Sequence, residues 1–396
     1  MPLRLFLVAC AAAAAIGARG DVLARSAQLF DHGVLHRIDL LTAGDEWHTL
    51  KENFRENGYY PATMRWNGLE APNAGIRSRG GGSRSGMKPG LRVDFGRFAP
   101  NQTFLGLRSI VLDNLTQDAS GIKERVAMRF YDRLGLAAPR EAHARLYVNG
   151  EPQGLYAVVE SIDEDFVLRA FGQPGYLFEY EYDTEWFLTR PDGGVENYRT
   201  LFDPVTRQRS SAQALFEPFD GLLWAINEAP DDQFVWSVGR FLDLPLFMRH
   251  AAAQNFLAQN DGILGYAGVN NFYFYRPDDP ARSRFVFWDE DNAFLAPDFP
   301  VLQGHERNVL MRRAMAVPEL RAVYFDTLLR AADAAEGWLE EEVRRQVALA
   351  GGALRADTRK PFTNEEVAAA ERALLEFARS RPALVRREVA QLRNRT

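Results

Sequence analysis

The chain has 396 residues, of which 46% are hydrophobic and 25% are charged, values close to the averages of globular proteins. This composition excludes general disorder, a collagen-like repeat and a long coiled coil, and the length predicts two or three domains or one large two-lobed domain. The formal net charge of −6 excludes a global basic field that would attract nucleic acid. Because Cys10 is the sole cysteine, no intrachain disulfide or cysteine-based zinc site can form.

Residues 1–20 are typical of an export signal. Leu5 to Ile16 form an apolar run that is too short to span a bilayer and that follows a single positive side chain. Small residues ahead of Asp21 predict cleavage there, and therefore an exported protein that is periplasmic, at the cell surface or extracellular. Leu7 to Cys10 also resembles a lipobox, so a lipid anchor at Cys10 is one alternative. A cytosolic protein with an alanine-rich N-terminal helix is the other.

Residues 21–160 are predicted to form a first lobe that is built on an antiparallel sheet. Apolar and polar side chains alternate between turn residues in four segments, at 34–40, 62–68, 75–80 and 91–98. A hairpin is predicted over 144–160, with Asn149-Gly150 at its tip. Apolar residues also recur at helical spacing over 118–134, which predicts one amphipathic helix ahead of the stop at Gly135.

Residues 161–396 are predicted to form a second, mostly helical lobe. A buried helix is expected over 242–259, and two strands are expected in the runs NNFYFYR and RFVFWDEDNAF that follow it. From Val309 onward the segments are helical and rich in arginine and glutamate. Thr363 to Glu366 form a capping box ahead of a long helix that ends near Leu392. The predicted fold class is therefore α+β, with a sheet lobe followed by a helical lobe.

Acidic and amide side chains bracket the two predicted strands of the second lobe. They occur at 260–262, at 270–271 and at 288–292. Chain reversal between the strands can bring four of them to one point: Asp261, Asn271, Asp289 and Asp291. Oxygen ligands of this kind suit Mg²⁺ or Mn²⁺. The alternative is that the amide pairs are hairpin turns and that the Asp-x-Asp motif is a solvated loop, but the three pieces together favour a metal site.

A second candidate site is the basic, glycine-rich segment 76–95. Backbone N–H groups of Gly80 to Ser83 and of Gly86 could surround phosphate groups, and Lys88 lies just before the next strand. The segment matches neither the P-loop nor GxGxxG. The alternative is a flexible hairpin with a solvated arginine face. Glu124, on the predicted helix, could pair with Lys88 or could be a surface charge.

In this order the segments resemble the CotH kinase family, which is named for a spore-coat protein and has a divergent protein-kinase-like fold. The resemblance covers residues 29–385 and rests chiefly on VNGEPQGLYAVVE, ESIDEDF and the late WDxD, with QNDG and NNFYFY between them. It implies a two-lobed, kinase-like fold. It also implies that ATP and Mg²⁺ or Mn²⁺ bind between the lobes and that the γ-phosphate passes to a protein hydroxyl.

The resemblance implies a role for each candidate residue near the nucleotide. Lys88 would contact the phosphates, Glu124 would orient Lys88, and Glu160 would lie near the adenine. The nucleotide-binding set that follows is Lys88, Gly82, Ser83, Arg79 and Glu160.

The resemblance also implies the roles on the catalytic side. Asp261 would accept the proton of the attacking hydroxyl. Asp289 and Asp291 would bind the metal together with Asn271, for which Asn270 is the alternative. The chain departs from the family at Glu290, where the family prefers an apolar residue.

Two other functions are alternatives. One is a catalytically inactive pseudokinase that serves as a surface or coat assembly protein, which the lack of an obvious ATP source outside the membrane favours. The other is a kinase-fold enzyme that transfers another group, such as adenylyl. The expected partner is a protein substrate, with no nucleic acid and no transmembrane segment, and the oligomeric state is open. Because the site is expected to be an open cleft, Lys88→Ala and Asp289→Ala should leave the fold intact.

Overall fold

The computed structural model describes residues 25–182, 185–278 and 282–394. The predicted leader at 1–20, including Cys10, lies outside the described residues. The chain forms two compact units. The barrel unit comprises the residues up to Thr116, Arg140–Ser161 and Leu349–Thr363, and the helical unit comprises Gln117–Pro139, Ile162–Ala348 and the residues from Asn364 onward. Within the described part of the chain, no helix has both the length and the apolar character needed to cross a membrane.

Seven strands close into a barrel in the barrel unit. They are β1 (Leu35–Leu41), β2 (Tyr60–Trp66), β3 (Leu69–Ser78), β4 (Leu91–Asp94), β5 (Ser109–Asp113), β6 (Glu141–Val148) and β7 (Glu151–Glu160). Around the barrel they follow the order β1, β2, β3, β4, β5, β7, β6. Helix α1 (Gly44–Glu52) follows β1. Inward-facing apolar residues such as Ile38, Met64 and Val93 are fully buried and form the barrel core.

The hairpin of β6 and β7 closes the barrel. β7 pairs with β5 in antiparallel fashion, whereas β6 pairs with β1 in parallel, with Leu35 opposite His143. The strands and the Asn149-Gly150 turn agree with the sequence prediction, but the expected antiparallel sheet is wrong in its closure and in this one parallel pair. The pairing joins segments far apart in the chain, and no local pattern marks such a register.

The helical unit combines a four-stranded sheet with most of the helices, which confirms the α+β class. The sheet has the order β11, β10, β8, β9. Its strands are β8 (Gly175–Tyr180), β9 (Phe202–Pro204), β10 (Phe272–Pro277) and β11 (Arg284–Phe287). After α1, the helices of the described chain are α2 (Lys123–Arg133), α3 (Glu164–Phe171), α4 (Ala212–Glu228), α5 (Phe234–Gly239), α6 (Leu244–Phe256), α7 (Val309–Ala316), α8 (Pro318–Ala335), α9 (Trp338–Ala356) and α10 (Asn364–Arg393).

Local capping sets where two of these helices begin. The helix predicted over 118–134 starts only at Lys123, because the Asp118 carboxylate accepts hydrogen bonds from the backbone N–H groups of Ile122 and Lys123 and so holds a turn ahead of it. Asp163 caps α3 in the same way and accepts from Asp165 N and Phe166 N. The chain after β7 therefore turns directly into a helix.

Each unit contains a segment that the expected division into 21–160 and 161–396 assigns to the other unit. Residues 117–139, with helix α2, belong to the helical unit, and residues 349–363 belong to the barrel unit. The single helix expected in the sheet lobe is therefore part of the other unit. Such exchanges depend on tertiary packing, which a linear composition pattern does not record.

Arg381 ties α10 to the interior of the helical unit. Its side chain is fully buried. The guanidinium donates to four backbone carbonyl oxygens: Phe256 O at 2.8 Å, Pro297 O at 2.9 Å, Phe299 O at 2.6 Å and Asn255 O at 2.6 Å. Burial lowers the pKa of Arg381 to about 10, so the group stays charged at neutral pH. Two of these carbonyls belong to the end of α6, which leads to the loop described below.

Replacing Arg381 with alanine is expected to lower the free energy of unfolding by about 3–5 kcal/mol, because buried carbonyls lose their donors. Arg379→Ala is the matched control on the same helix, because Arg379 is 49% exposed and pairs with Glu340 at 2.8 Å. The control should cost less than about 1 kcal/mol. Denaturant titrations followed by circular dichroism measure both variants, and equal losses would contradict the anchoring role of Arg381.

Candidate functional site

Two carboxamides hold the carboxylate of Asp261, in the loop between α6 and β10. Asn270 Nδ2 donates to Oδ1 and Asn271 Nδ2 donates to Oδ2, each at 3.1 Å. Asn271 Nδ2 also donates to the backbone oxygen of Asp261 at 2.9 Å. Burial raises the pKa of Asp261, and the two amide hydrogen bonds oppose the shift. The result is an oriented, half-buried carboxylate with an increased proton affinity.

The loop that carries Asp261 is held tightly at its base. The backbone oxygen of Gly262 accepts from Gly265 N at 2.9 Å and from Asn270 N at 3.0 Å. A Cβ at Gly262 would lie 2.5 Å from the side-chain nitrogen of Gln254, so glycine is required for this close approach. The predicted Asn-Asp-Gly and Asn-Asn motifs are therefore the two ends of one loop, joined by hydrogen bonds, and not two separate hairpin turns.

Asp289 leaves the sheet at the same end as Asn271 enters it. Phe272 of β10 pairs with Phe287 of β11. Asn271 directly precedes Phe272 and Asp289 lies two residues beyond Phe287, so the antiparallel register places both at one end of the strand pair. Both have a φ of 53°, in the left-handed region that asparagine and aspartate tolerate better than other side chains. Asp291 follows in the same half-buried segment and accepts from Asn292 Nδ2 at 3.0 Å.

Between Asp289 and Asp291, the carboxyl group of Glu290 is fully buried. Its Oε1 accepts from Gln254 Nε2 at 2.7 Å and its Oε2 accepts from Gln259 Nε2 at 2.9 Å. Burial raises the pKa of Glu290 to about 7; hydrogen bonds to its carboxyl oppose the shift, and the charge of Asp289 adds to it. The sequence prediction gave Glu290 no role.

The acidic residues fit a cation that retains other ligands. Within the described residues, no group of three or more His, Cys, Asp or Glu side chains is arranged to hold a metal ion. The predicted set of Asp289, Asp291 and Asn271 offers two carboxylates and one carboxamide. Such a set suits Mg²⁺, which usually keeps several waters and binds one or two protein carboxylates together with substrate phosphates. The donor chemistry therefore fits a nucleotide-bound cation better than a closed protein cage.

In the barrel unit, Lys88 is paired with Asp357, a residue that the sequence prediction missed. Lys88 Nζ lies 2.7 Å from Asp357 Oδ2, and the two side chains are 1% and 0% exposed. Burial lowers the pKa of Lys88, and the nearby charge of Asp357 opposes this shift. Asp357 also accepts from Leu155 N at 3.1 Å. It approaches Gly154 so closely that a Cβ there would overlap the carboxylate.

This pairing changes two expectations about Lys88. The ammonium group lies in the interior of the barrel unit, so the expectation of an open cleft is wrong for this residue. Lys88→Ala should therefore destabilise the fold. Glu124 lies in the first turn of α2, in the helical unit, and its role as the orienting acid stays a prediction. No local sequence pattern identifies Asp357 as the partner of Lys88, because it follows α9 and is far from Lys88 in the chain.

The glycine-rich segment is anchored in the barrel unit. Arg79 N donates to Gly90 O at 2.9 Å and closes the base of the segment. Asn114 Nδ2 donates to Ser83 O at 2.9 Å and to Lys88 O at 2.8 Å. These contacts argue against a flexible hairpin. The exposed Gly82 lies at its tip beside the half-buried Ser83, so both backbone groups stay candidates for phosphate binding.

Glu160, the last residue of β7, pairs with Arg140 within the barrel unit. Its carboxylate lies 2.8 Å from Arg140 Nη2 and accepts from Arg140 N at 3.0 Å. The residue is 2% exposed. These contacts fix the end of β7, and the predicted position of Glu160 near the adenine stays a prediction.

A double-mutant cycle tests the Lys88 and Asp357 pair. Lys88→Met and Asp357→Asn should each lower the free energy of unfolding by about 3–5 kcal/mol, because each leaves one buried charge without its partner. The double variant should cost clearly less than the sum of the single variants, since it removes both charges. Lys360→Met is a comparison at a neighbouring lysine, whose Nζ donates to the backbone oxygens of Asp357 at 3.0 Å and Arg355 at 3.5 Å, and it should cost clearly less than Lys88→Met because it leaves the Asp357 carboxylate paired. Additive losses would contradict the coupling of the pair.

Comparisons with known proteins agree with the motifs. A family model described as CotH kinase protein matches residues 76–385. The inner spore coat protein H of Bacillus subtilis (strain 168) is 25% identical over 283 residues, which cover 69% of this chain and 75% of that protein. An inner spore coat protein H-like protein of the same organism is 32% identical over 60 residues, 15% of this chain and 20% of that protein.

Among solved structures, the Helicobacter pylori proinflammatory kinase CtkA is similar at 10% identity and a TM-score of 0.33, with 77% of this chain and 95% of that chain covered.

Proposed function

Because the chain belongs to the CotH kinase protein family, we propose that it is a kinase that binds ATP with a divalent cation and transfers the γ-phosphate to a protein hydroxyl. The observation that carries the proposal is the Asp261 carboxylate, whose two oxygens are held by Asn270 and Asn271. Phosphoryl transfer depends on positioning and on charge neutralisation more than on covalent chemistry. An oriented carboxylate near the acidic end of a strand pair suits both requirements.

Asp261 is the proposed proton acceptor for the attacking hydroxyl. Each of its oxygens accepts one side-chain amide hydrogen bond, which leaves a further lone pair on each oxygen for a substrate. Its raised pKa makes it a better base than a solvated aspartate. Asp289 is the proposed principal metal ligand, with Asp291 and Asn271 completing the set. A bound Mg²⁺ or Mn²⁺ would supply positive charge against the phosphates.

The barrel unit carries the proposed nucleotide-binding residues Lys88, Arg79, Gly82, Ser83 and Glu160. Asn114 joins the backbone of Lys88 to that of Ser83, so the lysine and the glycine-rich tip form one anchored segment. Asp357 holds the ammonium group of Lys88, which is the part that an acidic partner plays in a kinase. Glu124 is the other candidate for that part. A kinase-like, two-lobed fold is proposed for the chain as a whole.

A second function is an inactive pseudokinase that acts in surface or coat assembly. The near-complete burial of Lys88 favours this candidate, because a lysine neutralised by Asp357 is not open to a phosphate. The name of the Bacillus subtilis relative, a spore coat protein, agrees with it. Export to the cell envelope or beyond, which residues 1–20 predict, also favours this candidate, because no ATP source is obvious outside the membrane.

Labelled ATP tests the proposal directly. The wild type should transfer the γ-phosphate to a protein acceptor, and Asp289→Ala should abolish transfer because a metal ligand is lost. Asp261→Asn should lower kcat by about 10²–10⁴. Asp232→Asn, in an exposed turn of the helical unit, is the control and should leave the rate unchanged. ATP with Mg²⁺ should also raise the melting temperature of the wild type.

The outcomes separate the candidate functions. A thermal shift without any transfer would favour the pseudokinase. Transfer of the α-label together with the adenosine would identify an adenylyl transferase. If ATP with Mg²⁺ causes no thermal shift and no group is transferred, that result would contradict nucleotide chemistry in this protein.

A further inference from the structure

A connected set of side-chain hydrogen bonds joins α6, the Asp261 loop and the segment after β11. Gln254, on α6, accepts from Ile263 N at 2.9 Å and donates to Glu290 Oε1 at 2.7 Å. Gln259, just after α6, accepts from Asp261 N at 2.9 Å and donates to Glu290 Oε2 at 2.9 Å. Each oxygen of Glu290 thus holds one glutamine, and each glutamine holds one backbone N–H on the Asp261 loop.

The hydrogen-bond donors and acceptors of these three side chains can be arranged in only one way. Gln254 and Gln259 are each 1% exposed and Glu290 is 0% exposed, so water does not compete for these groups. The backbone N–H groups of Asp261 and Ile263 can only donate, so the oxygen of each glutamine must face the loop and its NH₂ group must face Glu290. Reversing either carboxamide would point a buried donor at a backbone N–H. The loop N–H groups and the oxygens of Glu290 therefore fix the orientation of both glutamines together.

We propose that Glu290 is a positioning residue, which acts through Gln259 and Gln254 to hold the backbone at Asp261 and Ile263. Because Glu290 stands between Asp289 and Asp291, the same contacts fix the loop of Asp261 to the segment that carries the two aspartates. Gln259 Nε2 lies 3.4 Å from the backbone oxygen of Asp289, beside that junction. The inference rests on the proposed function, in which Asp261 accepts the proton of the substrate hydroxyl.

Glu342 shows what a merely structural buried glutamate looks like in the same unit. Its side chain is 4% exposed and accepts from Gln346 Nε2 at 3.0 Å and from Arg345 Nη2 at 2.6 Å. Both of these partners lie on its own helix, α9, and a third, Arg129 Nε of α2, lies 3.8 Å from Glu342 Oε1. Glu290 differs because its glutamine partners bond backbone N–H groups of the Asp261 loop, whereas these partners of Glu342 lie on helices. Glu342→Gln is therefore the matched control for loss of a buried carboxylate.

Exchanging the two side-chain types tests the inference. Glu290→Gln leaves one buried NH₂ group facing another, and Gln259→Glu places two carboxyl groups face to face. The double variant Glu290→Gln/Gln259→Glu restores a donor facing an acceptor between positions 290 and 259, because the new carboxamide at 290 donates to the new carboxylate at 259, which still accepts from Asp261 N. Of the contacts described above it loses only the 3.4 Å contact of Gln259 Nε2 with the backbone oxygen of Asp289. Each single variant should lower kcat at least about tenfold, with casein as acceptor, and should change the KM for ATP by less than about threefold. The double variant should recover to within about threefold of the wild type.

Amide hydrogen exchange over residues 259–263 gives a readout that does not depend on activity. Exchange should accelerate at least about tenfold in each single variant and should return to the wild-type rate in the double variant. Glu342→Gln should lower the melting temperature and leave both kcat and this exchange unchanged. Unchanged exchange in the single variants would overturn the inference. If the wild type is active, single variants that exchange faster but keep the wild-type kcat would also overturn it. A double variant that restores neither readout would also overturn it.

The same experiment separates the inference from the proposed function. A wild type that transfers no phosphate to casein or to itself, with or without Mg²⁺, would overturn the proposed function. In that case, exchange that accelerates in the single variants and is restored in the double variant still supports the positioning of the Asp261 loop by Glu290.

Discussion

A carboxyl group buried away from water requires hydrogen-bond donors on both oxygens, and in the helical unit this requirement is met for Glu290 by two glutamines. The donors come from α6 and from the residue that begins the next loop, so satisfying the carboxyl also fixes how the chain leaves the helix. The close approach of Gln254 in turn requires glycine at 262. The loop then brings Asn270 and Asn271 back to Asp261. The candidate catalytic carboxylate is thus oriented by contacts that begin in the core.

In the barrel unit, the buried ammonium group of Lys88 is likewise stabilised by a polar partner that also bonds the backbone. Lys88 is stabilised by Asp357, and Asp357 also bonds the backbone of β7 at Leu155, where Gly154 leaves the space that it needs. The pair is expensive to break, because either partner alone would be an uncompensated buried charge. An ammonium that is 1% exposed and neutralised by Asp357 favours the pseudokinase, whereas the oriented carboxylate of Asp261 favours the kinase. This is why the kinase and the pseudokinase remain the two candidates.

The local features of the fold could be predicted from the sequence, and the long-range ones could not. The Asn149-Gly150 hairpin, the buried helix α6 and the long helix α10 all follow from short patterns of turn residues and apolar spacing. Closure of the barrel depends on β1 pairing with β6, a register that only the folded structure determines. The interchange of segments between the units has the same origin.

In the candidate site too, local features could be predicted from the sequence and long-range contacts could not. Chain reversal between β10 and β11 was sufficient to predict that Asn271 and Asp289 lie at one end of the strand pair. The contact of Asp261 with Asn271 comes from the loop that precedes β10. The partner of Lys88 could not be predicted, since Asp357 is distant in sequence and carries no motif. Glu290 was visible only as a departure from a family pattern. Its role depends on the burial and the donor geometry of Gln254 and Gln259, which composition and spacing do not reveal.

A crystal structure of the protein with a non-hydrolysable ATP analogue and Mg²⁺ tests the central claim most directly. The account predicts a cation about 2.1 Å from an oxygen of Asp289, in contact with the phosphates of the analogue. It also predicts a γ-phosphate that leaves room for one hydroxyl group between itself and the carboxylate of Asp261. A nucleotide bound away from Asp261, or a cation that does not touch Asp289, would contradict the account.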